Sequence, residues 1–456
     1  MLIGFSVSNF MSFNSTQSIS LQASKITRHK DHIISGGPKK ILKSGLIFGA
    51  NAGGKSNLVK ALAFSNDIII NGLDAVDINK KHFRLNSDNY KQPGVFEYRL
   101  CIDGIEYSYG IVISYSNKEI VSEWLVRIDK DGTETYIYNR ELDDEGISNV
   151  NSEILYLSDE EQIRLNVYLE DFGENISDTL RKKSILSDIS LRSTNKNGIF
   201  FEIKQVFEWF QKMIILFPDS IFTRLNEVVA NDATRDFFGN ILSSFDTGIQ
   251  SIERRNEKID LDKIFERLPK EFSDRIKTDI SNTPKDIPFV FRIGTQVYSL
   301  IQDEDGNFIS TKMLLNHGSS EDLFEYADES DGTKRLFDLV PLFFGNCRDC
   351  VIVIDEIDRS LHTKLTKRFL EIFYELTSTT NAQIIATTHD SNLLDQDLIR
   401  QDEIWFVERQ DDHSSKIYSL NMFKERFDKK IDKEYLLGRY GAIPLFNESD
   451  LEDMND

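Results

Sequence analysis

Residues Gly49-Ala-Asn-Ala-Gly53-Gly54-Lys55-Ser56 match the pattern G-x-x-x-x-G-K-[ST]. This spacing constrains backbone, neighbouring elements and ligand chemistry together, because the loop works only between a strand and a helix. Both flanks are legible. Ile41–Phe48 is apolar except at Lys43, Ser44 and Gly45, which predicts a short buried strand. Asn57–Phe64 predicts the first turns of a helix. Glycines without a Cβ let backbone N–H groups close around a β-phosphate, and the helix N-terminus adds partial positive charge. Gly49, Asn51, Gly53, Gly54 and Asn57 then frame the phosphates, while Lys55 pairs with the β/γ oxygens. The Ser56 hydroxyl helps to hold Mg²⁺.

A chain of 456 residues exceeds one ordinary core, so two or three lobes are expected. No apolar run approaches the roughly 18 residues needed to span a bilayer. The N-terminus has neither a basic n-region nor a cleavage site. Cys101, Cys347 and Cys350 suit a reducing compartment, and a cytoplasmic protein without a membrane association is the expectation. Cys347-x-x-Cys350 lacks the second pair that zinc would need, so it reads as structural. The net charge of −21 argues against a broadly basic surface that coats nucleic acid. Arg28-His29-Lys30, Lys39-Lys40 and Arg181-Lys182-Lys183 are short basic runs that read as solvated faces. The tail Asn447–Asp456 is acidic and aperiodic, which predicts disorder.

Along the chain, residues 1–150 read as strands around the P-loop unit. Phe96, Tyr98, Leu100 and Ile102 alternate with polar positions up to the turn Asp103-Gly104, a hairpin signal repeated around Asp131-Gly132. Residues 151–288 read as a helical insertion. Ser158-x-x-Glu161 predicts a capping box there, and Ile203, Val206, Phe207, Phe210 and Met213/Ile214 predict a core-facing helix ending at Pro218. Strands return from 289, then alternate with helices to 446, which predicts parallel α/β organisation. No heptads or long repeats occur.

Val351-Ile-Val-Ile354 followed by Asp355-Glu356 predicts a buried strand that delivers two carboxylates at its C-terminal end, where ligands sit in open α/β sheets. Asp355 is placed to share Mg²⁺ with Ser56, and Glu356 to orient or deprotonate the attacking water. Ser330 and Gly332 precede a predicted helix beginning near Lys334. Ser360-Leu361-His362 follows the carboxylates, and a further apolar strand, Ile384–Thr388, leads into His389.

This order of motifs resembles ABC-type ATPases. The resemblance implies a signature at Ser330 and Gly332, a D-loop at Ser360–His362 and a switch histidine at His389. It implies a mixed α/β head, with a P-loop core, an antiparallel β subdomain and a helical insertion, whose site is completed by a second copy. ATP and Mg²⁺ are the implied ligands, and Lys55, Glu356 and His389 the implied catalytic residues. Asn9-Phe10-Met11-Ser12-Phe13 resembles the opening of the SMC, Rad50 and RecF group.

The segments Gly49–Leu62, Cys101–Gly110, Ile120–Leu125, Asp355–His362, Thr387–Asp395 and Tyr435–Pro444 together resemble prokaryotic ATPases of the AAA15 type. In size and layout the chain is most similar to the ATPase subunits of PARIS anti-phage systems. That likeness implies a homo-oligomer, a head-to-head dimer at minimum or a larger assembly such as a hexamer. It also implies a separate Toprim-type nuclease effector and a phage-encoded trigger protein. The residues after His389 are needed to finish the sheet, so the chain itself is not expected to be a nuclease. A DNA-driven repair ATPase is the other class, disfavoured by the charge and by the missing coiled coil.

Overall fold

The computed structural model describes residues 1–35, 37–143, 145–155, 157–193, 197–220, 228, 231–258, 265–266, 269–282, 289–293, 296–302, 308–319, 322–344, 349–427 and 429–443. They fall into two bodies. The first holds the described residues of 1–218, 348–358 and 370–456, and the second those of 219–347 and 359–369. The tail at 447–456 and Cys347 lie outside the described residues.

The first body is built on two large sheets, with strands numbered in chain order. One is antiparallel, in the order β10 (Ser148–Asn151), β9 (Glu134–Leu142), β8 (Glu119–Ile128), β7 (Ile105–Ser114), β6 (Gly94–Ile102), β1 (Leu2–Ser8), β2 (Gln17–Ser20). Its hairpins follow the sequence signals. Asp103 (φ 49°) and Gly104 (φ 80°) turn β6 into β7 with Ile102 opposite Ile105. The alternation pays out on one face: Phe96, Tyr98 and Leu100 are fully buried.

The other sheet carries the P-loop, in the order β11 (Ile214–Leu216), β17 (Val351–Ile354), β18 (Gln383–Thr387), β5 (Ser44–Phe48), β19 (Ile404–Arg409), β20 (Ser415–Ser419). All neighbours are parallel except β19 and β20. The strand expected over 41–48 is interrupted at Lys43. Ile41–Leu42 (β4) pairs instead with Ile33–Ile34 (β3). The buried Lys43 ammonium donates to the carbonyls of Thr377 and Thr380.

The helix Lys55–Asn71 packs between these elements, burying Leu58, Val59, Ala61, Leu62, Ile68 and Ile69. Each such leucine, valine or isoleucine contributes about 1.5–3 kcal/mol on leaving water. The Tyr98 hydroxyl meets Ser65 Oγ at 2.6 Å, so its buried polar end is satisfied on that helix. The helix Asp159–Glu170 opens on the Ser158/Glu161 capping box. The helix Gly198–Gln211 sets Phe210 edge-on against Tyr98 at 5.0 Å.

Three expectations are corrected. The aromatic-rich helix stops at Gln211, because Ile214–Leu216 pairs with β17 as a strand; an apolar run this short suits either period, and the partner decides. The interval 151–288 is not one helical insertion. Residues up to 218 belong to the first body, and β12 (Ser251–Lys258) is a strand. Residues from 289 do not enter the parallel sheet directly. β13 (Phe289–Ile293), β14 (Gln296–Gln302) and β15 (Phe308–Asn316) form an antiparallel sheet with β12, and β16 (Phe324–Glu325) pairs with β15.

That sheet is the frame of the second body. The helix Asp331–Leu339 buries Leu336, Phe337 and Leu339, with Phe337 edge-on against Phe238 at 5.1 Å.

Candidate nucleotide site

Three adjacent parallel strands deliver the site at their C-terminal ends. β5 runs into Gly49–Ser56, β17 into Asp355-Glu356, and β18, between them, ends at Thr387 two residues before His389. Residues some 300 positions apart in the chain meet because of strand order alone.

The P-loop is shaped by close backbone approaches. Gly54 has φ 111°, and a Cβ there would lie 2.1 Å from Ser415 Oγ. Ser415 donates to the Gly53 carbonyl at 2.7 Å, its Oγ lies 2.8 Å from Ser12 Oγ, and Asn57 Nδ2 donates to that Ser12 oxygen at 2.8 Å. The Asn9–Phe13 segment thus braces the loop and the helix that follows. Asn9 is held by its amide, which donates to the carbonyls of Asn89 and Gln92. Asn51 is exposed on the loop.

Lys55 is buried. Its ammonium donates to the carbonyls of Gly49 (2.6 Å) and Ala50 (3.0 Å) and to His389 Nδ1 at 3.2 Å, which uses all three hydrogens. Burial pulls its pKa down to about 8, opposed by Asp355, Asp358 and Glu356. With Nδ1 accepting, His389 carries its proton on Nε2, which faces Glu356 Oε1 at 3.8 Å. The His389 backbone N–H points at the Asp358 carboxylate, 3.3 Å away.

Ser56 Oγ donates to Asp355 Oδ1 at 3.1 Å, and Thr387 Oγ1 donates to the same oxygen at 2.6 Å. The Glu356 N–H donates to Thr387 Oγ1 at 2.8 Å. Glu356 itself sits at φ 52°, a left-handed conformation that a non-glycine residue adopts only when its surroundings hold it. A hydroxyl at the start of the helix Lys55–Asn71 and a carboxylate just past the end of β17 make an all-oxygen donor pair suited to a hard cation such as Mg²⁺. Together with the glycine cradle, these residues fit that ion.

Ser330 and Gly332 belong to the second body. Ser330 is the exposed N-cap of the helix Asp331–Leu339, which begins three residues earlier than expected, and its Oγ accepts from the Thr333 N–H at 3.1 Å. A Cβ on Gly332 would lie 2.8 Å from the Ser360 carbonyl, so the Ser330–Gly332 turn and the Ser360 segment touch.

Sequence reasoning did not single out Thr387, Ser415 or Asp358, nor a bracing role for Ser12. Thr387 and Ser12 lie inside stretches already quoted for resemblance, at the strand end before His389 and in Asn9–Phe13. Ser415 carries no sequence signal, since its role exists only through β19–β20 pairing.

The short basic runs are partly paired: Arg28 meets Asp397 at 2.7 Å and Arg181 meets Glu119 at 3.1 Å. No helix among the described residues is long and apolar enough to cross a membrane.

A family model described as "AAA domain, putative AbiEii toxin, Type IV TA system" matches residues 46–164 and 148–395. No curated protein matches the chain. Among solved structures, the SMC head domain from Thermotoga maritima is 12% identical over 92% of this chain and 98% of that one, with a TM-score of 0.35. An Smc head with an extended coiled coil, bound to the C-terminal domain of ScpA from Pyrococcus furiosus, is 14% identical over 93% and 97%, with a TM-score of 0.32. An SmcHead bound to the C-winged helix domain of ScpA is 15% identical over 93% and 99%, with a TM-score of 0.36. The family match runs from the P-loop strand to beyond His389 and covers more than half of the sequence, so the chain belongs to the AAA_21 family of AAA-domain ATPases.

Proposed function

We propose that this chain hydrolyses ATP between two paired copies and uses that cycle to hold and release a separate toxic effector, a Toprim-type nuclease, in anti-phage defence. The observation that carries the ATPase reading is the convergence of Ser56 and Asp355 at 3.1 Å, beside Lys55, Glu356 and His389. Ser56 and Asp355 would hold Mg²⁺, which would supply charge neutralisation at the phosphates. Lys55 gives up a loop carbonyl to meet the β/γ oxygens. Glu356 accepts the proton of the water that attacks the γ-phosphorus as the bond to ADP breaks, and that proton leaves with the phosphate. His389, between Lys55 and Glu356, contacts the γ-phosphate through its Nε2–H.

The pairing reading is supported by Ser330, an exposed N-cap whose helix terminus offers N–H groups and partial positive charge to an anion. A symmetric partner's γ-phosphate is that anion. The defence reading is supported by the family description, with its toxin–antitoxin theme, and by the motif resemblance. The trigger is then a phage-encoded protein.

The test uses the full chain. Glu356→Gln is expected to accumulate an ATP-bound dimer by light scattering, and Ser330→Arg to bind ATP while staying monomeric and inactive. Full turnover by monomeric Ser330→Arg would sink the pairing. Purification with the neighbouring gene products, with and without ATP, is expected to bring down a nuclease in a nucleotide-dependent way. A salt-sensitive DNA affinity with DNA-stimulated turnover, and no copurifying effector, would replace the defence reading with a DNA-driven one.

A further inference from the structure

The segment leading into β3 is held rigidly although it is irregular. Ser24 donates from its N–H and its hydroxyl to the Asp402 carboxylate at 2.8 and 2.7 Å. The buried Arg400 grips the same carboxylate with two 2.8 Å bonds and donates to the carbonyls of Ile26 and Arg28. The chain then passes through His29 (φ 46°) into a single turn, Lys30–His32. One ligand atom from each of His29, Asp31 and His32 lies within 4.8 Å of the others.

Both imidazoles have their second nitrogen fixed by an acceptor. His29 Nε2 faces the Gln396 carbonyl at 2.9 Å, and a carbonyl can only accept, so Nε2 carries the hydrogen and Nδ1 keeps its lone pair. His32 Nδ1 sits between the two oxygens of Glu403 at 3.0 and 3.2 Å, which leaves the lone pair on Nε2, 3.9 Å from the Asp31 carboxylate. Glu403 is fully buried and locked by the Arg400 N–H at 2.8 Å. The His32 ring is stacked on Tyr374 at 3.5 Å. Orientation of each histidine by a carboxylate or carbonyl behind it is how proteins prepare metal ligands.

We propose that His29, Asp31 and His32 form a binding site for a divalent transition-metal ion of the zinc class, unrelated to the nucleotide site. Two nitrogens and one carboxylate suit Zn²⁺ far better than Mg²⁺ or Ca²⁺, and three protein ligands leave a position for water. Metal–ligand bonds of about 2.0–2.1 Å put ligand atoms about 3.4 Å apart in a tetrahedron. Asp31, with its side chain 63% exposed, is free to close the remaining gap. The neighbouring cation Lys43 is turned to the Thr377 and Thr380 carbonyls, and Lys30 is the other charge on the turn. The ion would clip this turn to the Gln396–Glu403 segment through the two oriented rings.

The test titrates metal-stripped, nucleotide-free full-length protein with Zn²⁺ against a chromophoric chelator. One tight equivalent is expected in the wild type and is lost in the His29→Ala, Asp31→Asn double variant, whose substitutions leave the buried His32 in place. Glu403→Gln is expected to weaken binding roughly 10–100-fold. Circular dichroism checks that each variant is folded. Equal Zn²⁺ binding by wild type and double variant, or no tight equivalent in the wild type, would overturn the proposal and leave the histidines as hydrogen-bonding groups only.

Discussion

Thr387 is the most revealing residue to perturb, because one buried hydroxyl ties both carboxylate-bearing positions together. It is fully inaccessible, donates to Asp355 at 2.6 Å and accepts from the Glu356 N–H at 2.8 Å. Thr387→Val keeps the shape and deletes both bonds. A hydrogen bond to an ionised carboxylate is worth about 1.5–3 kcal/mol, and stranding an N–H costs about 1–3 kcal/mol, toward the low end here because Glu356 is partly exposed. Asp355 keeps its bond from Ser56, so the expected loss is about 3 kcal/mol of unfolding free energy, read by urea denaturation. Glu356 also loses what holds it at φ 52°. A displacement of about 1 Å at a reacting group can cost about 100-fold, so turnover should fall about 10–100-fold while MgATP affinity changes far less. Thr387→Ser, which restores the oxygen, should recover most of both. A Thr387→Val protein within about 0.5 kcal/mol of wild type and hydrolysing ATP at the wild-type rate would refute the reasoning.

Two further predictions follow from the same geometry. Lys55 has its folded pKa depressed to about 8, so between that value and the ordinary 10.5 the unfolded chain binds more protons and this group's contribution to stability rises with pH; at neutral pH its burial cost is fully present. Anionic phosphates raise that pKa again, so ATP binding should take up about half a proton near pH 8 and close to none near pH 6.5, read by calorimetry in buffers of different ionisation enthalpy; buffer-independent heats at pH 8 would contradict it. Gly54→Ala combines a left-handed backbone with a 2.1 Å approach to Ser415 Oγ. Strain of about 1–3 kcal/mol corresponds to a roughly 5–150-fold loss of ATP affinity, and Ser415→Gly in the same chain should recover only the steric share.

Local chemistry was legible in the sequence wherever it is written in neighbouring residues. The P-loop, the Asp103-Gly104 hairpin, the Ser158 capping box and the strand ending in Asp355-Glu356 each depend on a few adjacent side chains and one period of apolar positions. The interruption at Lys43, the strand at Ile214–Leu216 and the division of 151–288 were not legible, because short apolar runs suit more than one element and their partners lie far along the chain. The candidate site divides the same way. Its acids and lysine could be named from spacing and its histidine from the family resemblance, but the strand order β17–β18–β5 sets Lys55 against His389 and makes Thr387 the common anchor of Asp355 and Glu356. Pairing across β19 and β20 likewise brings Ser415 against Gly54. The sequence by itself determined which chemistry is present. Tertiary structure decided which groups touch, because hydrogen bonds act over about 3 Å and only the folded sheet brings residues hundreds of positions apart that close.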